Sequence, residues 1–358
     1  MSLSTVPPPD VLLPAFPTLL QGLHVLERGN DEVQIGLDPR HGLVVTGLAP
    51  SVVALVRRLD GSRGLDAVLA ESEHLDQLRL LLKQLTALGL VTEAPTHAAR
   101  RVETGFWSLR ARHHQTALTE RRRHSLVSVR GDGRIAVAVA ALLANAGVGN
   151  LDVRAGGVVT EADLGSGYTS AELGLPRRRA LQNVLARVAP EVSTARNQQR
   201  APDVVVLTDA VVPAPELVAG LADDGVTYLP ARVRDGTVIV GPLVVPGRST
   251  CLRCCDLTKT DLDDSWPRVA AQLVGVDQRP DLATVQACAS LAVAQALRVL
   301  SPSAEPPPAW NSTLELDPFE GRLRHRYWEP HPGCDCGAPE TPLDTTSETA
   351  PQAAPPET

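Results

Sequence analysis

Six cysteines stand in this 358-residue chain, and five of them fall in two tight groups. "TCLRCC" supplies Cys251, Cys254 and Cys255; "HPGCDCG" supplies Cys334 and Cys336. Two residues between Cys251 and Cys254 let both thiolates face one ion. Pro332, Gly333 and Gly337 let the tighter Cys334-x-Cys336 pair do the same. A Cys-x-x-Cys knuckle with a distant second pair is the arithmetic of a tetrahedral zinc site. The expected ligands of Zn2+ are Cys251, Cys254, Cys334 and Cys336. Cys255 is the alternative to Cys254, and the spacing favours Cys254. Four thiolates leave no open coordination position, so such a zinc is structural. Cys288 stands alone in an apolar stretch and reads as a small core residue.

A second stretch able to do chemistry is "VSVRGDGRIA", residues 127–136. Gly131-x-Gly133-x-x-Ala136 follows a strand pattern and opens a helix pattern. In that context glycines let phosphates approach the backbone N–H groups at a helix N-terminus. A glycine turn is also an ordinary strand-to-helix connection, so it argues for a nucleotide-binding ancestor more firmly than for a bound nucleotide. The next strand ends in Ala155, Gly156 and Gly157, where such a fold normally offers an acid to the ribose.

The elements that must position these residues read as two units. Residues 1–19 are Pro-rich and read as a flexible arm. Within 20–93, "LHVLER", "EVQIGLD" and "LVVTGL" are short β-rich runs separated by turn residues. Pro50 then opens a helix that buries Val52, Val53, Leu55, Val56 and Leu59. A short helix follows in "GLDAVLAES". Leu75, Leu78, Leu81, Leu82, Leu85 and Leu88 recur at helical spacing before Gly89, and "LVTE" closes as a strand. This order suggests a small winged-helix, α+β unit. Residues 94–124 are polar and basic, a linker with one helical piece. From 125, strand and helix patterns alternate in the rhythm of a doubly wound, Rossmann-like α/β sheet. "GTVIVGPLVVPG" reads as an antiparallel hairpin, residues 283–300 as a long buried helix, and "WNSTLELDPFEGRLRHRYW" as a late hairpin. Residues 338–358 lack periodicity and read as a disordered tail.

Composition excludes several classes. The net charge of −7 makes nucleic acid an improbable partner. No run of about 18 apolar residues is evident, so no membrane helix is expected. The start "MSLSTVPPPD" shows no signal-peptide pattern, and the thiols suit a cytoplasmic location. Only Lys83 and Lys259 are lysines.

Residues 125–337 resemble the ThiF/MoeB family, the relatives of ubiquitin-activating enzymes. The resemblance rests on the Gly131–Ala136 turn, "ANAGVGNLDV", "TEADLGSGY" (160–168), "LTDA" around Asp209, and the two cysteine pairs. It implies a nucleotide-fold domain that dimerises, MgATP at Gly131, Gly133 and Ala136, Mg2+ at Asp209, and Arg177 in the place of a phosphate-binding lysine. The family's Asp-x-Asp falls on Ala155 and Gly157, and its Asn-Leu-x-Arg on Asp163, Leu164, Gly165 and Ser166. One acid and one substituted cation do not make the constellation that adenylation needs. Residues 20–93 resemble PqqD-like recognition domains, which capture a leader peptide as an added strand. The combination, with "CDLTKTDLDDSWPRVAAQL" (255–273), is similar to the ThiF-like component of thiazole/oxazole cyclodehydratases. That implies a precursor-peptide-binding scaffold of a bacteriocin-type biosynthetic system. Its nucleotide site would be degenerate, and a separate ATP-using partner enzyme would act on the peptide. The alternative is an adenylyltransferase that activates the C-terminal carboxylate of a ubiquitin-like sulfur carrier, with Asp209 catalytic.

Overall fold

The computed structural model describes residues 11–20, 22–29, 32–38, 42–94, 107, 115–194, 200–208, 210–301 and 306–339. Asp209, most of the 94–124 linker and nearly all of the 338–358 tail lie outside them.

The N-terminal unit begins inside the segment expected to be a loose arm. Strand β1 (Pro17–Leu19) pairs antiparallel with β5 (Val91–Glu93). Proline is tolerated there because β1 has a single strand partner among the described residues. The Glu93 carboxylate accepts hydrogen bonds from the N–H groups of Ala15 and Phe16, at 2.6 and 2.9 Å. Strands β2 (Val25–Glu27), β3 (Glu32–Ile35) and β4 (Leu43–Thr46) form an antiparallel sheet in that order. Helices α1 (Pro50–Arg57), α2 (Leu65–Ala70) and α3 (Leu75–Ala87) complete the unit. Four of the six leucines at helical spacing in α3, Leu78, Leu81, Leu82 and Leu85, are buried; Leu75 and Leu88, at its ends, are exposed.

After α4 (Gln115–His124) comes a seven-stranded mixed sheet, ordered β12-β11-β10-β9-β8-β6-β7. Strands β6 (Leu126–Arg130), β7 (Asn150–Arg154), β8 (Val204–Leu207) and β9 (Tyr228–Arg234) run parallel. β10 (Thr237–Val240), β11 (Ser312–Asp317) and β12 (Arg322–Tyr327) continue antiparallel. The expected hairpin in "GTVIVGPLVVPG" lies one strand earlier. The chain reverses between β9 and β10 at Asp235 and Gly236, both at positive φ (50° and 82°). Asp-Gly with two positive φ angles is the turn that matches the twist of a hairpin.

Alternation along the strands divides the sheet into two faces. Val127, Val129, Val204, Val206, Leu229, Ala231, Val238, Val240 and Leu314 belong to one core. Helices α5 (Arg134–Asn145), α6 (Arg177–Val188) and α10 (Leu282–Leu300) cover it. On the opposite face, Val205, Leu207 and Tyr228 pack with Leu221 of α7 (Pro215–Asp223) and Leu252 of α8 (Leu252–Leu262). By length and hydropathy α10 could cross a membrane, which the sequence reading did not expect. Here Val285, Cys288, Ala289, Ala292 and Ala296 are fully buried, and the helix packs on α5, β9 and β10. Its apolarity is that of a core helix. The sequence-predicted placement of Cys288 in a buried helix matches what is observed.

Candidate metal centre and glycine-turn crevice

Cys251 occupies the N-cap position of α8, with extended backbone (φ −95°, ψ 173°). Cys254 follows at i+3, on the same side of the first turn. The second pair arrives after β12. Its turn is set by His331, which accepts the Gly333 N–H at Nδ1 (3.0 Å) and the Cys334 N–H at its carbonyl (2.9 Å). His331 Nε2 lies 2.8 Å from Asp261 Oδ2 and so ties that turn to α8. The Cys251 sulfur stands 3.8 Å from that of Cys254 and 3.6 Å from that of Cys334. Cys254 stands 3.6 Å from Cys336. All four sulfurs lie within 4.8 Å of one another. Four sulfurs at about 2.3 Å from a tetrahedral zinc would be about 3.8 Å apart. The donor set and its spacing therefore fit a single metal ion. Burial pushes the Cys254 thiol up, but hydrogen bonds from the His331 and Cys251 backbone and from neighbouring thiols win, and its pKa is lowered. Cys255, one residue further round the helix, is fully buried outside the cluster. Burial pushes its thiol up to about 12. His331 and Asp261 carry no spacing signal in the sequence, since the contact spans 70 residues.

The glycine turn sits where the strand order switches, with β6 flanked by β7 and β8. Gly131 has φ 139°, a conformation that L side chains rarely adopt, and Gly133 caps α5. Ala136 is buried one turn into the helix. Arg177, the first residue of α6, reaches this crevice. Its guanidinium donates to both Asp163 oxygens, at 3.1 and 2.9 Å, and lies 3.3 Å from Asp132. Asp163 is almost fully buried and also accepts from the Thr160 N–H and hydroxyl, at 2.8 and 2.9 Å. Burial alone would raise its pKa. Hydrogen bonds from Thr160 and Arg177, together with the arginine charge, hold it below the ordinary carboxylate value.

A chain segment, residues 274–281, runs across the end of β8 and over this turn. It bridges to Ala210 and Val212. Arg134 donates to the Pro280 carbonyl at 3.2 Å. A Cβ on Gly133 would meet the Gln278 carbonyl oxygen at 3.9 Å. The crevice, about 480 Å3, has three cations (Arg134, Arg177, Arg279) and three acids (Asp132, Asp163, Asp277) in its walls. These charges cancel. Arg134 Nε and Arg177 Nε have no hydrogen-bond partner among the described residues, but a nucleotide phosphate also needs net positive potential, and without it the described residues fit MgATP poorly. Asp209 lies outside them.

No protein-family profile matches the sequence, and no curated protein matches it. Solved structures do match in three dimensions. Escherichia coli MccB with succinimide superposes with a TM-score of 0.65 at 13% identity, over 89% of this chain and 99% of that one. The microcin C7 biosynthetic enzyme MccB in complex with N-formylated MccA gives 0.64 at 13%, over 90% and 99%. PaaA gives 0.65 at 15%, over 86% and 99%. The chain has a ThiF-like fold. At these identities the likeness speaks for the fold, and MccB has also been crystallised with ATP.

Proposed function

We propose that this chain is a precursor-peptide-binding scaffold of a cyclodehydratase-type peptide-modifying system. Its nucleotide site is degenerate, and a separate ATP-using partner enzyme carries out the activation. The observation that carries this reading is the charge-balanced crevice at the glycine turn. Arg177 is engaged by two acids there, and Gln278 lies over the turn. An enzyme that adenylates must concentrate positive charge at that point. MccB, crystallised with MccA and with an ATP analogue, has the same fold and makes a peptide substrate a natural expectation.

The N-terminal unit would act as the PqqD-like, winged-helix recognition element. Among the described residues β4 has one strand partner, and the turn after it is held to α3 by Gln77, which donates to the Gly47 carbonyl and accepts the Ala49 N–H. An added peptide strand would take its main-chain hydrogen bonds from that edge. Zn2+ in the four-cysteine cluster would be structural, and a reducing cytoplasm would keep its thiolates available. A homodimer through the sheet domain is part of the same proposal, and sedimentation velocity measures it.

ATP–pyrophosphate exchange with peptides encoded beside the gene tests the central claim. Background exchange is expected from the isolated chain, with peptide-dependent ATP consumption once an ATP-using partner is added. Robust exchange by the chain alone, abolished in Asp209→Ala with metal retained, would instead establish the adenylyltransferase reading.

A further inference from the structure

The face of β9–β11 turned away from α10 carries a second cavity. Pairing places Arg232 opposite Ile239 and Ile239 opposite Glu315, one row across three strands. α8 and α9 (Trp266–Leu273) stand over this row and enclose about 870 Å3, the size of a small-molecule site. Trp266 and Trp328 both line it. The Lys259 ammonium lies 4.5 Å from the first ring centroid and 5.4 Å from the second. Asp256 accepts from Lys259 and from the Trp266 indole N–H, both at 3.1 Å. The lysine charge is therefore matched, through the Asp256 Oδ1 that both donors share.

Arg232 differs. Its side chain, partly buried in the cavity wall, makes no hydrogen bond or salt bridge among the described residues, and the carboxylates of Asp256 and Glu315 act on it only through space. The Glu315 backbone is two strands away, about 9–10 Å at the usual strand spacing, and no salt bridge joins its carboxylate to Arg232 among the described residues. Arg326 is stacked 4.6 Å from the Trp328 ring. A guanidinium taken out of water without an anion is unfavourable, and its planar fork matches a carboxylate in two parallel hydrogen bonds. The surrounding acids disfavour a dianion, and the indoles favour an apolar body.

We propose that this cavity binds an organic carboxylate, with the anion on Arg232 and an apolar body against Trp266 and Trp328. The inference stands apart from the peptide-scaffold reading, because it needs neither ATP nor a partner enzyme. Calorimetry on the full, metal-loaded chain tests it with N-acetyl-Leu-Phe as free acid, the same compound as C-terminal amide, and inorganic phosphate. The acid is expected to bind saturably, and the amide and phosphate about tenfold more weakly or worse, the span of one charge-assisted hydrogen-bond pair. Arg232→Met should weaken the acid by a similar factor and leave the amide unchanged, while Arg232→Lys retains part of the binding. Equal binding of acid and amide overturns the proposal, as does the absence of saturable binding at millimolar acid. Phosphate binding as tightly as the acid overturns the apolar part of it. If Arg232→Met fails to fold, the acid-to-amide contrast in the natural chain still decides.

Discussion

Cys254 and Cys255 are adjacent in sequence and opposite in fate. One points its sulfur into a set of four within 4.8 Å; the other is buried among protein atoms beyond that set. Cys254→Ser should therefore lose the metal by more than tenfold in content after dialysis, whereas Cys255→Ser should keep it. Elemental analysis after gel filtration measures both. The cluster is legible in the sequence because each pair is set locally, by two intervening residues or one. The clasp of Arg177 by Asp132 and Asp163 is not, because helix α6 and the turn at Thr160 meet only in the folded chain. Arg177→Met leaves the buried Asp163 carboxylate with only its Thr160 donors and should cost about 2 kcal/mol at neutral pH. The pH dependence has a definite sign. Asp163 has a folded pKa below its unfolded value of about 3.9, so its contribution is complete above about pH 5 and disappears as pH falls through the folded value. Urea unfolding from pH 7 to pH 3 should show that acid limb in the natural chain and a flatter one in Arg177→Met.

The elements themselves were largely legible, because strand and helix periods are strong from residue 125 onward. The exceptions have physical causes. β1 is three residues long, starts with proline, and gains its order from β5 and the Glu93 carboxylate, far away in sequence. Nothing local marks it. The hairpin at Asp235-Gly236 does carry a local signal, the Asp-Gly pair, which outweighs the proline-rich stretch after it. Leu20, 3% exposed, links β1 to the core of the N-terminal unit, and its N–H donates to the Leu90 carbonyl at 2.9 Å. Leu20→Ala should destabilise that unit by about 2–4 kcal/mol, the cost of a buried cavity. Denaturant unfolding followed by amide exchange in α3 measures the loss.

At the scale of the molecule, the cysteine cluster joins residues 83 apart and ties the segment after β12 back to α8. Chelation should release that segment selectively. Hydrogen exchange is expected to rise at residues 328–337 and in β12, while β6 and β8, in the sheet interior, stay protected. The parallel half of the sheet owes its order to apolar packing on both faces, so it does not depend on the metal. The two faces of the other half lead to separate compartments, a packed interior and an open chamber. A strand between them carries two records side by side. Substitutions scanned from Tyr228 to Arg234 should fall into interleaved phenotypes: Leu229, Ala231 and Val233 altering how firmly the molecule holds together, Arg232 and Arg234 altering what it holds. Selection on one property could then proceed at every second position with little trespass on the other.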